Sequence, residues 1–547
     1  MSGKLAAPAG LLTQAVRLHQ AGRLDEAASA YARVLAAQPR QPDGLHLSGL
    51  VRHQQGDQQA ARRFVEAAIA AAPKVVAYRI SLVAILLAQR HTAEALVAAE
   101  RAVTMAPELA AARLALGNAR LAGGDEQGAI AAYEAALAAD PDSAEALNNL
   151  GSTLQRAGRL DAAEAALRQA IGLRPGHPGQ LANLGLVLRD QGRFDEAAAC
   201  YDRALAADPQ HATTRANRAT LLLQQGRFAE GWAEYEWRWR APGFTSSPRR
   251  FASPAWNGAD PAGRTLLLHA EQGLGSAIQF VRYAPLVAGR GARVIVECPP
   301  PLVRLFRASL VEAGGAVAGG VARVIPRGEP LPPFDAQAPL MSLPHLCRTT
   351  LATVPASIPY LRADPTAAAY WRQRLTAAAG SAALRVGLAW AGNPAHANDH
   401  NRSLPAAAAA LLAPLLALPG VRFVSLQVGD AAAMATATDL AALGLIERTD
   451  ELHDFADTAA LVSALDLVIA VDTAVAHLAG ALGRPVWLLT PPIPEWRWLL
   501  DRDDSPWYPS MRLFRQSTAG DWAGVIARVG SSLRRWLAAG DESAAVP

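Results

Sequence analysis

Three short segments in the second half of this 547-residue chain concentrate residue types that hold anions and move protons. The first is Glu271-Gln272-Gly273-Leu274-Gly275-Ser276, between an apolar strand pattern at 265–269 (TLLLH) and a helical one. Gly273 and Gly275 let the backbone approach a ligand closely, and the helix that follows offers free amides and the positive end of its dipole. Gln279 adds a side-chain amide one turn later. A turn of this kind is equally consistent with a purely structural role.

The second segment, 387–404, reads GLAWAGNPAHANDHNRSL. It leaves a strand and gathers Trp390, Asn393, His396, Asn398, Asp399, His400 and Arg402 in one loop. Such polar density suits hydroxyl and phosphate recognition, with Arg402 the cation for phosphate oxygens. The spacing of His396, Asp399 and His400 is not that of a zinc site, and no metal is expected. The third segment, 466–483, reads DLVIAVDTAVAHLAGALG. A buried strand ends at Asp472, Thr473 stands at a helix cap, and a small-residue helix opens at Ala474, so its amides suit a diphosphate. His477 either reaches that ligand or is a packed histidine.

The elements that must position these loops alternate as strand, loop and helix, the pattern of parallel sheets with helices on their faces. Strands are expected at 265–269, 292–297, 384–390, 422–427, 467–471 and 486–489, and helices at 278–287 and 370–379. A proline-rich passage, 325–339, interrupts the alternation. Two open α/β units facing a cleft are expected, with ligands beyond the carboxyl ends of the strands.

The first 240 residues are of another kind. Pro39, Pro73, Pro107, Pro141, Pro175 and Pro209 recur every 34 residues. Gly22, Gly56, Gly124, Gly158, Gly192 and Gly226 share a second position, with Arg90 in the remaining slot, and Tyr31, Tyr133, Tyr201 and Tyr235 mark a third. Within each unit apolar residues fall at helical spacing in two runs around the glycine, and proline ends the second helix. This pattern resembles the tetratricopeptide repeat, with six copies over about 8–211 and a closing copy from Ala212 to about Arg240. Such arrays form a superhelix with a concave groove, so a peptide or protein partner is expected there.

Composition narrows the class. The net charge is +4, Lys4 and Lys74 are the only lysines, and no basic run carries interleaved aromatics, so nucleic acid is not an expected partner. Cys200, Cys298 and Cys347 lack metal-ligand spacing and suit a reducing compartment. The N-terminal residues do not read as a secretory signal, and the longest apolar stretch, 404–418, is too short and interrupted to span a membrane. A cytoplasmic location is expected.

The three loops, together with Phe251-x-x-Pro-x-Trp256, the junction GWAEYEWRWR at 231–240 and the segment 503–509 (DDSPWYP), resemble bacterial tetratricopeptide-repeat proteins that carry a heptosyltransferase-type glycosyltransferase domain. The resemblance implies an α-solenoid followed by two Rossmann-like units in a GT-B arrangement. Its boundaries would be 8–240 for the repeats, 241–262 for a linker, 263–365 for the first half and 366–540 for the donor-binding half. It further implies a nucleotide-diphosphate sugar donor, with Asp472, Thr473, Ala474 and His477 facing its diphosphate and ribose. Arg402 would be the phosphate-binding cation, Ser425 and Gln427 would border the nucleotide, and neither a metal nor a cofactor is implied. The family's first loop usually reads G-x-G-D, its aspartate the candidate base; here that position is Ser276, which cannot accept a proton effectively near neutral pH. Glu271, His396 and Asp399 are the substitutes nearest in sequence. The expected function is transfer of a sugar to an acceptor, a protein presented by the repeats; the alternative is a weakly active or inactive repeat scaffold that retains the sugar-nucleotide fold.

Overall fold

The computed structural model describes residues 8–244, 246–312, 320–379, 384–392, 402–405, 408–429 and 431–539. The chain divides into two compact units, Met1–Pro209 and Gln210–Pro547.

The first unit is a run of helix pairs, a first helix of 13 residues followed by a second of 14, as in Ala110–Ala122 with Glu126–Ala139 and Ala144–Arg156 with Leu160–Leu173. One packing rule explains the register. A small residue on the first helix faces a larger one sixteen positions on: a Cβ on Gly117 would lie 2.4 Å from the Tyr133 ring, and one on Gly185 2.5 Å from Tyr201. Where the first position is Val83, the second is Ala99, and both sit in the same buried cluster. Volume is conserved across the pair, as a close-packed interface requires. The turn between paired helices needs a left-handed residue, supplied by Gly124 at φ +83° and, without glycine, by Arg90 at φ +62°.

The second unit opens with one more helix pair, Ala212–Gln224 and Phe228–Tyr235, ended by a 3-10 turn at Glu236–Arg240. This pair shares its core with the α/β elements. Trp232 meets Trp496 edge-on at 5.1 Å and Phe280 at 6.1 Å, and Gln224 Nε2 donates to the Pro494 carbonyl at 2.7 Å. Ala255 pairs in parallel with Gln337, and Trp256 is buried beside the first sheet.

Two parallel sheets follow. The first contains β1 (Thr265–His269), β2 (Arg293–Cys298), β3 (Val321–Pro326) and β4 (Ala336–Pro339) in the order β3-β2-β1-β4. The second contains β5 (Leu384–Ala389), β6 (Val421–Ser425), β7 (Leu467–Val471), β8 (Val486–Thr490) and β9 (Met511–Arg515) in the order β6-β5-β7-β8-β9. Central strands read as unbroken apolar runs because both faces are covered: β7 and β8 are buried at every residue.

The structure corrects the sequence reading in three places. The proline-rich passage 325–339 is not a gap, since β3 ends and β4 lies within it; parallel pairing to β2 and β1 overrides its composition. β9 was not expected and closes the edge beside β8. The helix expected over 278–287 is two, Leu274–Phe280 and Tyr283–Ala288. Arg282 stands at the break, and its Nε donates to the Gln279 carbonyl at 2.8 Å, satisfying an end group of the first helix.

Candidate functional site

The direction in which successive strands are added reverses beside β1 in the first sheet, where β2 and β4 flank it, and beside β5 in the second, where β6 and β7 flank it. In open α/β sheets such switch points leave a crevice beyond the strands' carboxyl ends. The loops leaving β1, β5 and β7 are the three singled out above.

The β1 loop meets the β7 turn directly. A Cβ on Gly275 would lie 2.9 Å from His477 Cδ2 and 3.4 Å from Ala474 Cα, so this glycine lets the Leu274–Phe280 helix lie against the Ala474–Ala481 helix. Around Gly273 the equivalent space is open. His477 is buried, stacked on Trp498 at 5.3 Å, with Nδ1 2.9 Å from the Tyr508 hydroxyl and Nε2 3.8 Å from Asp472 Oδ1. Burial pushes its pKa down to about 3 against the pull of Asp472, so the imidazole is neutral at physiological pH. Burial alone would raise the Asp472 carboxyl; Arg402, His477 and Arg497 outweigh it and hold the group below its usual range.

Arg402 Nη2 donates to the Asp472 carbonyl at 2.5 Å and lies 3.2 Å from its Oδ2, which sets this guanidinium at the mouth of the β7 turn. Arg402 Nε and Thr473 Oγ1 are buried with no hydrogen-bond partner among the described residues. Thr473 occupies the N-cap position of the Ala474–Ala481 helix, yet its hydroxyl makes no cap bond. Unpaired buried donors beside a helix N-terminus are costly unless ordered water or an anion satisfies them.

Ser276 Oγ accepts from Arg497 Nη2 at 3.0 Å. Arg497, between β8 and β9, also donates to Gln279 Oε1, pairs with Glu495 and lies over the Trp496 ring at 4.2 Å. Sequence reasoning missed it; the only signal was an arginine between two tryptophans, in WRW. The Gln279 side chain is fully buried, its Nε2 unpartnered.

Glu271 pairs with Arg238 at 2.7 Å, both side chains 3% exposed, and Arg238 also donates to Ser342 Oγ at 2.8 Å. Burial, opposed by Arg238, pushes the Glu271 carboxyl up to about 7. Gln427 Oε1 accepts from the backbone amides of Trp390 and Ala391 at 3.1 and 2.9 Å, and Gly392 N donates to Ser403 Oγ at 2.8 Å. Gln427 thus fastens the base of the β5 loop, and Ser425 is fully buried behind it. Asn393, His396, Asn398, Asp399 and His400 lie outside the described residues.

The loops of the two parallel sheets therefore meet around two arginines, a neutral histidine and a helix N-terminus. A tetratricopeptide-repeat model matches residues 12–75, 82–143, 127–178 and 183–236, and the model of glycosyltransferase family 9 (heptosyltransferase) matches residues 439–490, which hold β7, the Asp472–Thr473 turn, the Ala474–Ala481 helix and β8. The N-terminal region is thus similar to tetratricopeptide repeats, and a short segment of the C-terminal region is similar to glycosyltransferase family 9. Protein FlbA of Caulobacter vibrioides is 33% identical over 321 residues, covering 56% of this chain and 52% of that protein, so the chain spans about half the length of this relative. Among solved structures, a tetratricopeptide repeat protein from Parabacteroides merdae aligns at 16% identity and TM-score 0.36, over 42% of this chain and 91% of that one. PilF of Pseudomonas aeruginosa aligns at 15% identity and TM-score 0.34, over 39% and 96%. Among the described residues no helix is long and apolar enough to cross a membrane.

Proposed function

We propose that the chain is a metal-independent glycosyltransferase of GT-B type that moves a sugar from a nucleotide-diphosphate donor to an acceptor hydroxyl, on a protein presented by the repeats. The observation that carries this reading is the pair of unsatisfied buried donors, Arg402 Nε and Thr473 Oγ1, at the N-terminus of the Ala474–Ala481 helix, beside the glycine loop of the other sheet. A departing diphosphate there would gain helix amides, the Thr473 hydroxyl and the charges of Arg402 and Arg497, which is how a site without a metal stabilises a leaving group. His477, neutral and wedged against Trp498, shapes the wall without adding charge. A reducing compartment such as the cytoplasm suits Cys200, Cys298 and Cys347, all free thiols.

Proton removal is the weak step. Ser276 has no carboxylate bonded to it and faces a cation, His477 is too weak a base, and Glu271 is tied to Arg238. Transfer is consequently slow for want of a base at 276. The scaffold alternative draws on this same serine.

Calorimetric titration with a panel of nucleotide-diphosphate sugars tests the reading. One donor is expected to bind saturably to the wild type and at least about tenfold more weakly to Thr473→Val and Arg402→Ala, a loss of about 1.4 kcal/mol. With that donor, Ser276→Asp is expected to raise turnover by roughly 10²-fold, the scale of a positioned general base. A well-folded protein that binds no donor would leave the scaffold reading.

A further inference from the structure

A second concentration of charge lies away from the cleft, on β9 and the C-terminal helix Trp522–Ala539. Arg512 and Arg515 of the strand and Arg528 and Arg535 of the helix line one groove of about 330 Å3. Among the described residues, the only acidic side chain lining it is Asp503. Asp501 lies near Arg515 and Asp521 near Arg528, yet among the described residues no carboxylate comes within ion-pair distance of any of the four guanidinium groups. Several arginines elsewhere sit in ion pairs: Arg62 with Glu66 and Glu94, Arg193 with Glu164 and Glu196, Arg385 with Asp466.

What these arginines do bond to is neutral. Arg515 Nε donates to the Arg502 carbonyl at 2.8 Å and Nη2 to the Trp498 carbonyl at 2.7 Å, while Nη1 is shut from solvent with no acceptor. Arg528 donates to the Arg515 carbonyl, Arg535 to Ser532 Oγ at 3.0 Å, and Arg512 lies over the Phe514 ring at 5.0 Å. Burial lowers the Arg515 guanidinium to about 10 against the pull of Asp501 and Asp503. Four lining arginines and one lining aspartate, around a concavity large enough for a small molecule, favour a multivalent anion, and guanidinium forks suit phosphate oxygens.

We propose that this groove is a second anion site, which takes a phosphate-bearing small molecule through Arg512, Arg528 and Arg535 over the charge of Arg515. The site is linked to the cleft by covalent and hydrogen-bonded structure. Arg515 holds the carbonyls of Trp498 and Arg502, and the segment between them contains two non-glycine residues in left-handed conformation, Leu499 and Asp501, both at φ +51°. Trp498 is the residue stacked on His477. An anion that fixes Arg515 thereby fixes the wall of the cleft; this coupling, unlike the anion site itself, rests on the donor-cleft reading above.

Titration of the full chain with inorganic pyrophosphate tests the site, with Arg402→Ala present throughout to weaken any binding in the cleft. Saturable binding is expected to persist in that background and to weaken at least tenfold on adding Arg528→Ala or Arg535→Ala. Arg534, next to Arg535 but outside the groove, is the charge-matched control, and Arg534→Ala is expected to leave binding unchanged. Equal weakening by Arg534→Ala would reduce the effect to diffuse surface charge and overturn the proposal, as would absence of saturable binding in the Arg402→Ala background. Failure of the sugar donors to bind the wild type would sink the cleft reading while leaving this result intact.

Discussion

At the scale of single residues, the cleft is governed by what burial does to charge. Glu271 keeps its proton up to about pH 7, whereas the unfolded chain releases it near its ordinary value of 4.5. Between those values the folded state binds more protons than the unfolded one, so the stability this group contributes is present at low pH and lost as pH rises from about 4.5 through 7. Compared with Glu271→Gln, the wild type is therefore expected to lose ground in thermal midpoint between pH 5 and pH 8; parallel profiles would show that Arg238 already holds the carboxylate charged. His269 and His477 act in the opposite sense. Their folded pKa values, pushed down to about 4 and about 3 by burial, mean that stability is full above about pH 6.5 and drains away on acidification. The identities of Asp472, Thr473, Arg402 and Ser276 were legible in the sequence as candidates. Which were tied up was not: the Oε1 of Gln427, a residue read as bordering the nucleotide, accepts from two backbone amides at the base of the β5 loop.

At the scale of elements, the repeat is a statement about backbone as much as packing. Every turn position between paired helices is glycine except Arg90, which holds φ +62° at a cost of about 1 kcal/mol for an L-residue. Arg90→Gly is expected to stabilise the array by about 0.5–1 kcal/mol, less than the full strain because glycine gains freedom when unfolded. A raised denaturant midpoint followed by far-ultraviolet circular dichroism checks it, and a lowered one would mean that the arginine side chain supplies more than the turn loses. The helices were readable because their signal is local and repeats every 34 residues. β3, β4 and β9 were not, because a strand of four to six residues is defined by its neighbours: Ala336–Pro339 is a strand only because β1 lies alongside.

At the scale of the whole molecule, the closing helix pair is structurally part of the α/β unit that follows it. Trp232 is 1% exposed and packs against Phe228, Phe280, Trp496 and Trp507, residues drawn from both sides of the cleft. Arg282 adds a staple, donating to the carbonyls of Pro355 and Trp507 at 3.0 and 2.7 Å with aromatic rings over its guanidinium. Trp232→Ala is expected to cost about 3–5 kcal/mol, the scale for removing a buried aromatic. Every tryptophan lies at or after position 232, so fluorescence-detected denaturation reports this unit alone; an unshifted midpoint would show that the aromatic cluster is not what holds it together.

By itself the sequence determined the solenoid, the parallel α/β class and the three loops at strand ends, because periodicity, turn residues and apolar runs are local properties of a chain. Only the tertiary structure decided the charge state and freedom of the candidate residues. Arg497 reaches Ser276 and Gln279 across more than two hundred residues, and Arg238 reaches Glu271 across 33. Burial and ion pairing depend on neighbours brought together through space, and a one-dimensional pattern carries no record of them.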